Sequence, residues 1–225
     1  MSIAQAAAAI GVDRATARRL LLTLVEEEFV ATDGNVFYLR PRALQIGHAY
    51  LRSSDLAGLC SDRLQHLSEA LSVTASAGVL SDGHALYIAR SVRQSPVTLN
   101  VEVGMKVPLY RSSIGRVLLA AMDPAQIRTY LTGVHAARVT EKSIVSTEAL
   151  AAAINEVRRV GYAIVDEELE LNLRTIAVAV HDGAGRVVAA INAATIGSGS
   201  SREDLEKRLL QPLIEASRDI ELALK

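Results

Sequence analysis

Arg14, Arg18 and Arg19 stand at helical spacing just after a glycine and an aspartate. Guanidinium groups grouped in this way can donate paired hydrogen bonds to phosphates or to the edges of bases. Other side chains capable of chemistry are less organised. Asp166, Glu167, Glu168 and Glu170 form the one carboxylate cluster. Asp166 and Glu168 could exchange protons as an acid–base pair only with a pKa matched to that task, and a solvated or salt-bridged loop is the simpler reading. The five histidines (His48, His66, His84, His135 and His181) are scattered, with no partner at metal-ligand spacing. Cys60 is the single cysteine, which rules out an intramolecular disulfide and argues against a thiolate metal cluster. No Gly-x-Ser-x-Gly elbow occurs, and the segment Gly197-Ser198-Gly199-Ser200-Ser201 lacks the Gly-Lys-Ser ending of a phosphate-binding loop. These residues predict no enzyme, no metal and no cofactor.

The arginines belong to a helix–turn–helix pattern. Ile3, Ala6, Ala7 and Ile10 recur at the spacing of a buried helical face. Ser2 with Gln5 reads as a capping box, Gly11 as the left-handed helix end and Asp13 as the cap of the next helix. In that second helix Ala17, Leu20, Leu21 and Leu24 form the expected inward stripe. Ala15, Arg18 and Arg19 point the other way, and Arg14 and Thr16 lie on the flanks. A helix of this design places its first turns in the major groove, where Arg reads bases or phosphates and Thr or Ala meets thymine methyls. By itself the pair is equally well read as a helical hairpin with solvated arginines. The next segment favours DNA, because Asp33-Gly34-Asn35 separates two short β-prone runs within residues 29–39, as a hairpin requires. A helix–turn–helix followed directly by a hairpin is winged. Asn35 at the hairpin tip is a candidate phosphate contact, and Arg40 and Arg42 follow; a solvated turn is an equally good reading of each.

The chain has 225 residues and a formal net charge of −1, so it is no bulk electrostatic DNA binder. Residues 1–54 carry six Lys or Arg against five Asp or Glu, so positive charge is local to the recognition helix. Binding should therefore rest on site-specific contacts and dimerisation. No apolar run is long enough to span a membrane and no signal segment opens the chain, which predicts a cytoplasmic protein.

After Pro41 a linker helix is expected over 42–53, with Leu44, Gly47, Tyr50 and Leu51 on one side. A longer helix should run from Asp55 to about Ser72, burying Cys60 among Leu56, Leu59, Leu64, Leu67 and Leu71. Strands are predicted at 73–80 and 85–91 around Ser81-Asp82-Gly83-His84, and at 97–103 from the alternation of Val97, Leu99, Val101 and Val103. A helix follows from Ser113 to Ala121, another begins at Asp123-Pro124, and Thr147 should cap a helix ending at Gly161. Strands are expected at 162–166 and 174–181 and, after the Asp182–Gly185 turn, over the segment RVVAAINAAT. Ser200 with Glu203 should cap a last helix over 202–223. The fold class is therefore α+β: a winged helix–turn–helix over 1–41, a linker helix over 42–54, and a domain with an antiparallel sheet over 55–225.

Several blocks, in order, resemble the IclR family of bacterial transcriptional regulators. They are RATARRLLLTL with the wing, VPLYRSSIGRVLLAAM at 107–122, and GYAIVDEELELNLRTIAVAVHDGAGRVVAAIN at 161–192. Within the family the chain is similar to the branch controlling β-ketoadipate pathway genes for protocatechuate and 4-hydroxybenzoate breakdown. The resemblance implies a GAF-like C-terminal domain that binds a small organic acid, and a homodimer or a tetramer built from dimers, acting on a double-stranded DNA operator. It places effector contacts on Ser113, Ile114, Val165, Thr175, Asn192 and Ala194. Ser113 at a helix start favours an anion; Thr175 and Asn192 can orient a hydroxyl or keto group; the apolar positions suit an aromatic body. The plain alternatives are that Ser113 caps its helix and that Asn192 satisfies the sheet edge. Family members carry a helix ahead of the one that opens here at Ser2, so the Ile3/Ala6/Ile10 face is expected to be uncovered. Arg111, Asn172 and Thr175 depart from the residues usual at their positions. Two rival functions are a ligand-binding module that has lost DNA binding and a small-acid-processing enzyme using Asp166 or Glu168.

Overall fold

Local signals set the first elements in place. In the computed structural model, which describes residues 1–92, 101–197 and 201–224 (the Arg52 and Ser53 side chains excepted), Ser2 and Gln5 close a capping box on α1 (Ile3–Ile10). Gly11 ends that helix at φ 68°, and Asp13 accepts from the Thr16 amide to start α2 (Arg14–Glu26). β1 (Val30–Thr32) and β2 (Phe37–Leu39) pair antiparallel as the wing. A 3-10 turn over Pro41–Ala43 then leads into α3 (Leu44–Ser53), two residues later than the periodicity suggested.

The chain divides into two units, Met1–Ser54 and Asp55–Lys225. The first has a small core of Ala6, Leu21, Val30 and Phe37, with Ile3 and Val25 packed against it. The inward line of α2 is therefore Ala17, Leu21 and Val25. Leu20 and Leu24, read as inward from spacing, are 48% and 41% exposed, and Ile10 is exposed as well. The helix is rotated so that the wing and α1 cover the Leu21 side, and within this unit no element covers the opposite flank.

The second unit is built on a six-stranded antiparallel sheet in the order β5-β4-β3-β8-β7-β6. Its strands are β3 (Thr74–Ser81), β4 (His84–Ser91), β5 (Lys106–Pro108), β6 (Tyr162–Asp166), β7 (Leu173–His181) and β8 (Val187–Ile196). The β3–β4 turn holds Asp82 and Gly83 at φ 47° and 71°, both positive as a two-residue I′ turn demands. The strand expected at 97–103 is not found where the structure describes it: 101–103 are irregular, and 97–100 lie outside the described residues. β5, too short to show an alternation, was not legible.

α4 (Asp55–Leu71) and α8 (Arg202–Ala223) contact one another and the sheet; α5 (Ser113–Ala120) contacts five of its strands and α7 (Thr147–Val160). α6 (Pro124–Thr132) packs beside α7. Cys60 on α4 is fully buried, and burial pushes its thiol up to about 12. Leu109, Ile114, Val117, Leu118 and Leu119 meet Ala85, Tyr87, Ala163, Ala177 and Ala190 in the main core. Small residues on the strands let α5 lie close. A Cβ at Gly78 would come within 2.9 Å of Ile114 Cγ2, and one at Gly115 would collide with the Leu109 backbone. Two helix caps fall one residue from the expected positions, and the alternative reading of Ser113 as a cap does not hold. Ser112, not Ser113, caps α5; Ser146, not Thr147, caps α7; Ser201 with Asp204, not Ser200 with Glu203, closes the box on α8. Each of the three capping serines holds an extended backbone just outside its helix, from which its Oγ accepts from a free amide.

Candidate DNA interface and effector pocket

Capping fixes where α2 begins and what its first turn presents. Asp13 accepts from the Thr16 amide at 2.9 Å and from its hydroxyl at 2.7 Å. These bonds hold the Asp13 carboxyl below its ordinary range. They also commit the Thr16 hydroxyl proton, so Thr16 has its methyl and an accepting oxygen to offer. Arg14, Ala15, Arg18 and Arg19 are exposed, and among the described residues none of the three arginines is in an ion pair. Arg40 and Arg42 differ: both reach Glu28, at 3.3 and 3.4 Å, and Arg42 also lies 5.1 Å from the Phe29 ring centre. Asn35 sits in the wing loop with its amide donating to Asp33 Oδ1 at 2.9 Å and its side chain exposed. Among the described side chains of this unit, the exposed arginines outside an ion pair are thus those at the start of α2.

In the second unit, strand register gathers the proposed effector contacts. Val165 pairs with Thr175, Thr175 with Ala194, and Ala194 with Thr74, so these residues form one row across four strands. The next row is Ala163, Ala177, Asn192 and Ser76, extended by Arg90 on β4. Because directly paired residues share a face, both rows lie on the face where Ala163 and Ala177 meet α5. The N-terminal turn of α5 brings Ser113 and Ile114 to the same face, with Ile114 against Gly78 of β3.

Ser113 Oγ, Thr175 Oγ1 and Asn192 Oδ1 are all buried without a hydrogen-bond partner among the described residues. Since the Ser112 hydroxyl accepts from the Gly115 amide at 3.0 Å, Ser113 is relieved of capping. Ile114, Val165 and Ala194 are buried around them. Asn192 lies on β8, which is hydrogen-bonded on both sides, so it does not satisfy a sheet edge. Ser76, buried beside Asn192, was missed; the signal was available in Thr74-Ala75-Ser76, where polar residues alternate in an otherwise small and apolar run. Arg90 and Tyr87 complete the surroundings. Burial lowers the Arg90 guanidinium and raises the Tyr87 phenol, and the charge of Arg90 partly offsets the latter.

The acidic run is salt-bridged. Glu168 pairs with Arg116, while Asp166 and Glu167 share Arg174 and Lys142. Asp166, Glu167 and Glu168 are each committed to a cation, and Asp166 and Glu168 are held by different arginines.

The sequence profile of the IclR helix–turn–helix domain matches residues 1–34, and that of the bacterial transcriptional regulator IclR C-terminal domain matches residues 48–222. The chain belongs to the IclR family. It is a DNA-binding transcriptional regulator of α+β fold. Among its relatives, the Pca regulon regulatory protein of Pseudomonas putida is 38% identical over 98% of this chain and 76% of that protein. The p-hydroxybenzoate hydroxylase transcriptional activator of Acinetobacter baylyi is 30% identical, covering 85% of this chain and 73% of its own. A solved structure from Rhodococcus sp. RHA1, described as a transcriptional regulator, superimposes with a TM-score of 0.80 at 36% identity, covering all of this chain and 90% of that one. These IclR relatives are regulators, not enzymes.

Proposed function

We propose that this IclR regulator reads its operator with Arg14, Ala15, Thr16, Arg18 and Arg19 of α2 and Asn35 of the wing. A small acid with an apolar or aromatic body binds between α5 and the sheet, against Ser113, Ile114, Val165, Thr175, Asn192 and Ala194. The observation that carries the effector reading is a group of three polar atoms, from α5, β7 and β8, on one buried face and without a partner among the described residues. Buried polar groups are nearly always hydrogen-bonded, so a site that leaves three of them open is suited to a ligand that supplies the partners. Apolar walls with a few orienting groups are the usual composition of such a pocket. The Acinetobacter relative, an activator for p-hydroxybenzoate hydroxylase, supports an aromatic acid as the effector class.

The protein acts as a homodimer or tetramer in the cytoplasm and catalyses nothing. Exposed Leu44, Ile46 and Tyr50 on α3 support association, and no helix of the described residues is long and apolar enough to cross a membrane. The arginine partners of Asp166 and Glu168 support the absence of acid–base catalysis. In the oligomer, acid binding biases the spacing of two recognition helices across half-sites about one helical turn, or a multiple, apart.

Thermal-shift titration with 4-hydroxybenzoate, protocatechuate and short keto acids tests the effector class. An acid at about a hundred times its dissociation constant should stabilise the fold by roughly 2.7 kcal/mol. Ser113→Leu should abolish that shift by filling the space beside the start of α5. A variant that binds an identified effector as tightly as the parent would move the pocket elsewhere, first to the surroundings of Arg111.

A further inference from the structure

Cationic side chains hold the tip of the β6–β7 hairpin on two sides. Arg116, one turn along α5 from Ser113, meets Glu168 through both arms of its guanidinium, at 2.7 and 2.5 Å. Its Nε donates to the Tyr110 carbonyl at 3.0 Å, and the side chains of Arg116 and Glu168 are only 4% and 12% exposed. Arg174, next to Thr175 on β7, contacts Asp166 Oδ1 at 2.7 Å and also Glu167, and Lys142 reaches the same two carboxylates at 3.0 and 3.3 Å. The segment before α7 is tied in as well. Ser143 Oγ donates to the Glu168 carbonyl at 2.8 Å, and Thr140 Oγ1 donates to the Glu167 carbonyl at 2.7 Å.

The hairpin so gripped carries Val165 and Thr175, and the helix that grips it through Arg116 carries Ser113 and Ile114. Apolar contacts between a helix and a sheet are non-directional and tolerate small slides. A buried two-armed guanidinium–carboxylate contact has a fixed plane and length, and either charge left alone in that setting is strongly disfavoured.

We propose that Arg116 and Glu168 are the positioning pair of the effector pocket. Their contact sets the separation between the first turn of α5 and the β6–β7 hairpin, and so the distance of Ser113 from Val165 and Thr175. Acid affinity and the choice between closely similar acids then depend on two residues that do not touch the acid. This rests on the pocket reading above.

The test titrates the full chain with 4-hydroxybenzoate and, separately, 3-hydroxybenzoate by calorimetry, well below the unfolding transition of every variant. Glu168→Gln and Arg116→Met should weaken the preferred isomer by roughly tenfold or more, equivalent to about 1.4 kcal/mol, and bring the two isomers' affinities together. Arg116→Lys, which keeps the charge but not the two-armed geometry, should retain part of the affinity and lose the isomer preference. If Arg116→Met does not fold, Arg116→Lys and Glu168→Gln carry the comparison. Variants with a lower melting point but the parent's affinities and isomer preference would show a purely structural pair and overturn the proposal. A parent that binds neither isomer, nor protocatechuate nor a short keto acid, overturns the pocket reading, and this proposal with it.

Discussion

Leaving a hydroxyl buried without a hydrogen bond costs about 1–3 kcal/mol, and among the described residues Thr175 on β7 has no partner. Replacing it with valine keeps the shape and removes the unmet group, so two effects of opposite sign are expected. The ligand-free Thr175→Val variant should be as stable as the parent or more so in denaturant unfolding. Its effector affinity should fall by about 0.5–1.5 kcal/mol, the worth of one neutral hydrogen bond. A variant that is both less stable and undiminished in affinity would assign Thr175 to packing alone. At the other end of the chain, Arg18 and Arg19 are exposed and outside the Leu21 core, so changing both to alanine should leave folding intact. Operator affinity should drop by about 1–3 kcal/mol per lost base contact, and each lost phosphate contact should flatten the salt dependence by about one unit of slope. Gel shifts across a salt series measure both; unchanged binding would remove this helix from the interface.

At the scale of elements, hairpins and helix ends were the most legible features, because a few residues decide them. Asp82-Gly83 fixes one turn by backbone angle alone, and Gly11 and Gly161 end their helices at φ 68° and 85°. What stayed illegible depends on long-range contact. Leu20 and Leu24 have the spacing of a core face, and only the packing of α1 and the wing shows that Ala17, Leu21 and Val25 hold that place. The Arg116–Glu168 contact joins residues 52 positions apart and leaves no periodic trace. The effector positions were reached through resemblance; seen alone, Thr175 and Asn192 are two polar residues on apolar strands, and register is what brings them to one face. Asp13 gives a prediction at this scale. Its hydrogen bonds from Thr16 lower its pKa below 3.8, so its contribution is fully present above that value and is lost as pH falls through the lowered one. Carboxyl NMR of Asp13 should titrate below an exposed aspartate, and exchange at the start of α2 should quicken in the same acidic window. In Asp13→Asn, which caps without titrating, that acid response should disappear.

For the whole molecule, the two units differ in how much core they possess. The first relies on a cluster of four buried residues, whereas the main cluster of the second joins four strands to α5, α6 and α7. Regions with few buried apolar contacts open more readily, so amide exchange in residues 1–40 should be faster than in the strands of the second unit. Equally slow exchange in both would mean that another subunit covers Ile10, Leu20 and Leu24. The fully buried Cys60 has an experimental consequence of its own. Thiolate is the form that reacts with maleimides and methanethiosulfonates, and this thiol is both enclosed and pushed up to about 12. The natural chain is therefore already silent toward labelling, and Asn35→Cys would place one spin probe at each wing tip with no background to subtract. In the proposed oligomer, dipolar spectroscopy with and without acid would then read the distance between wings directly as the chemical signal arrives.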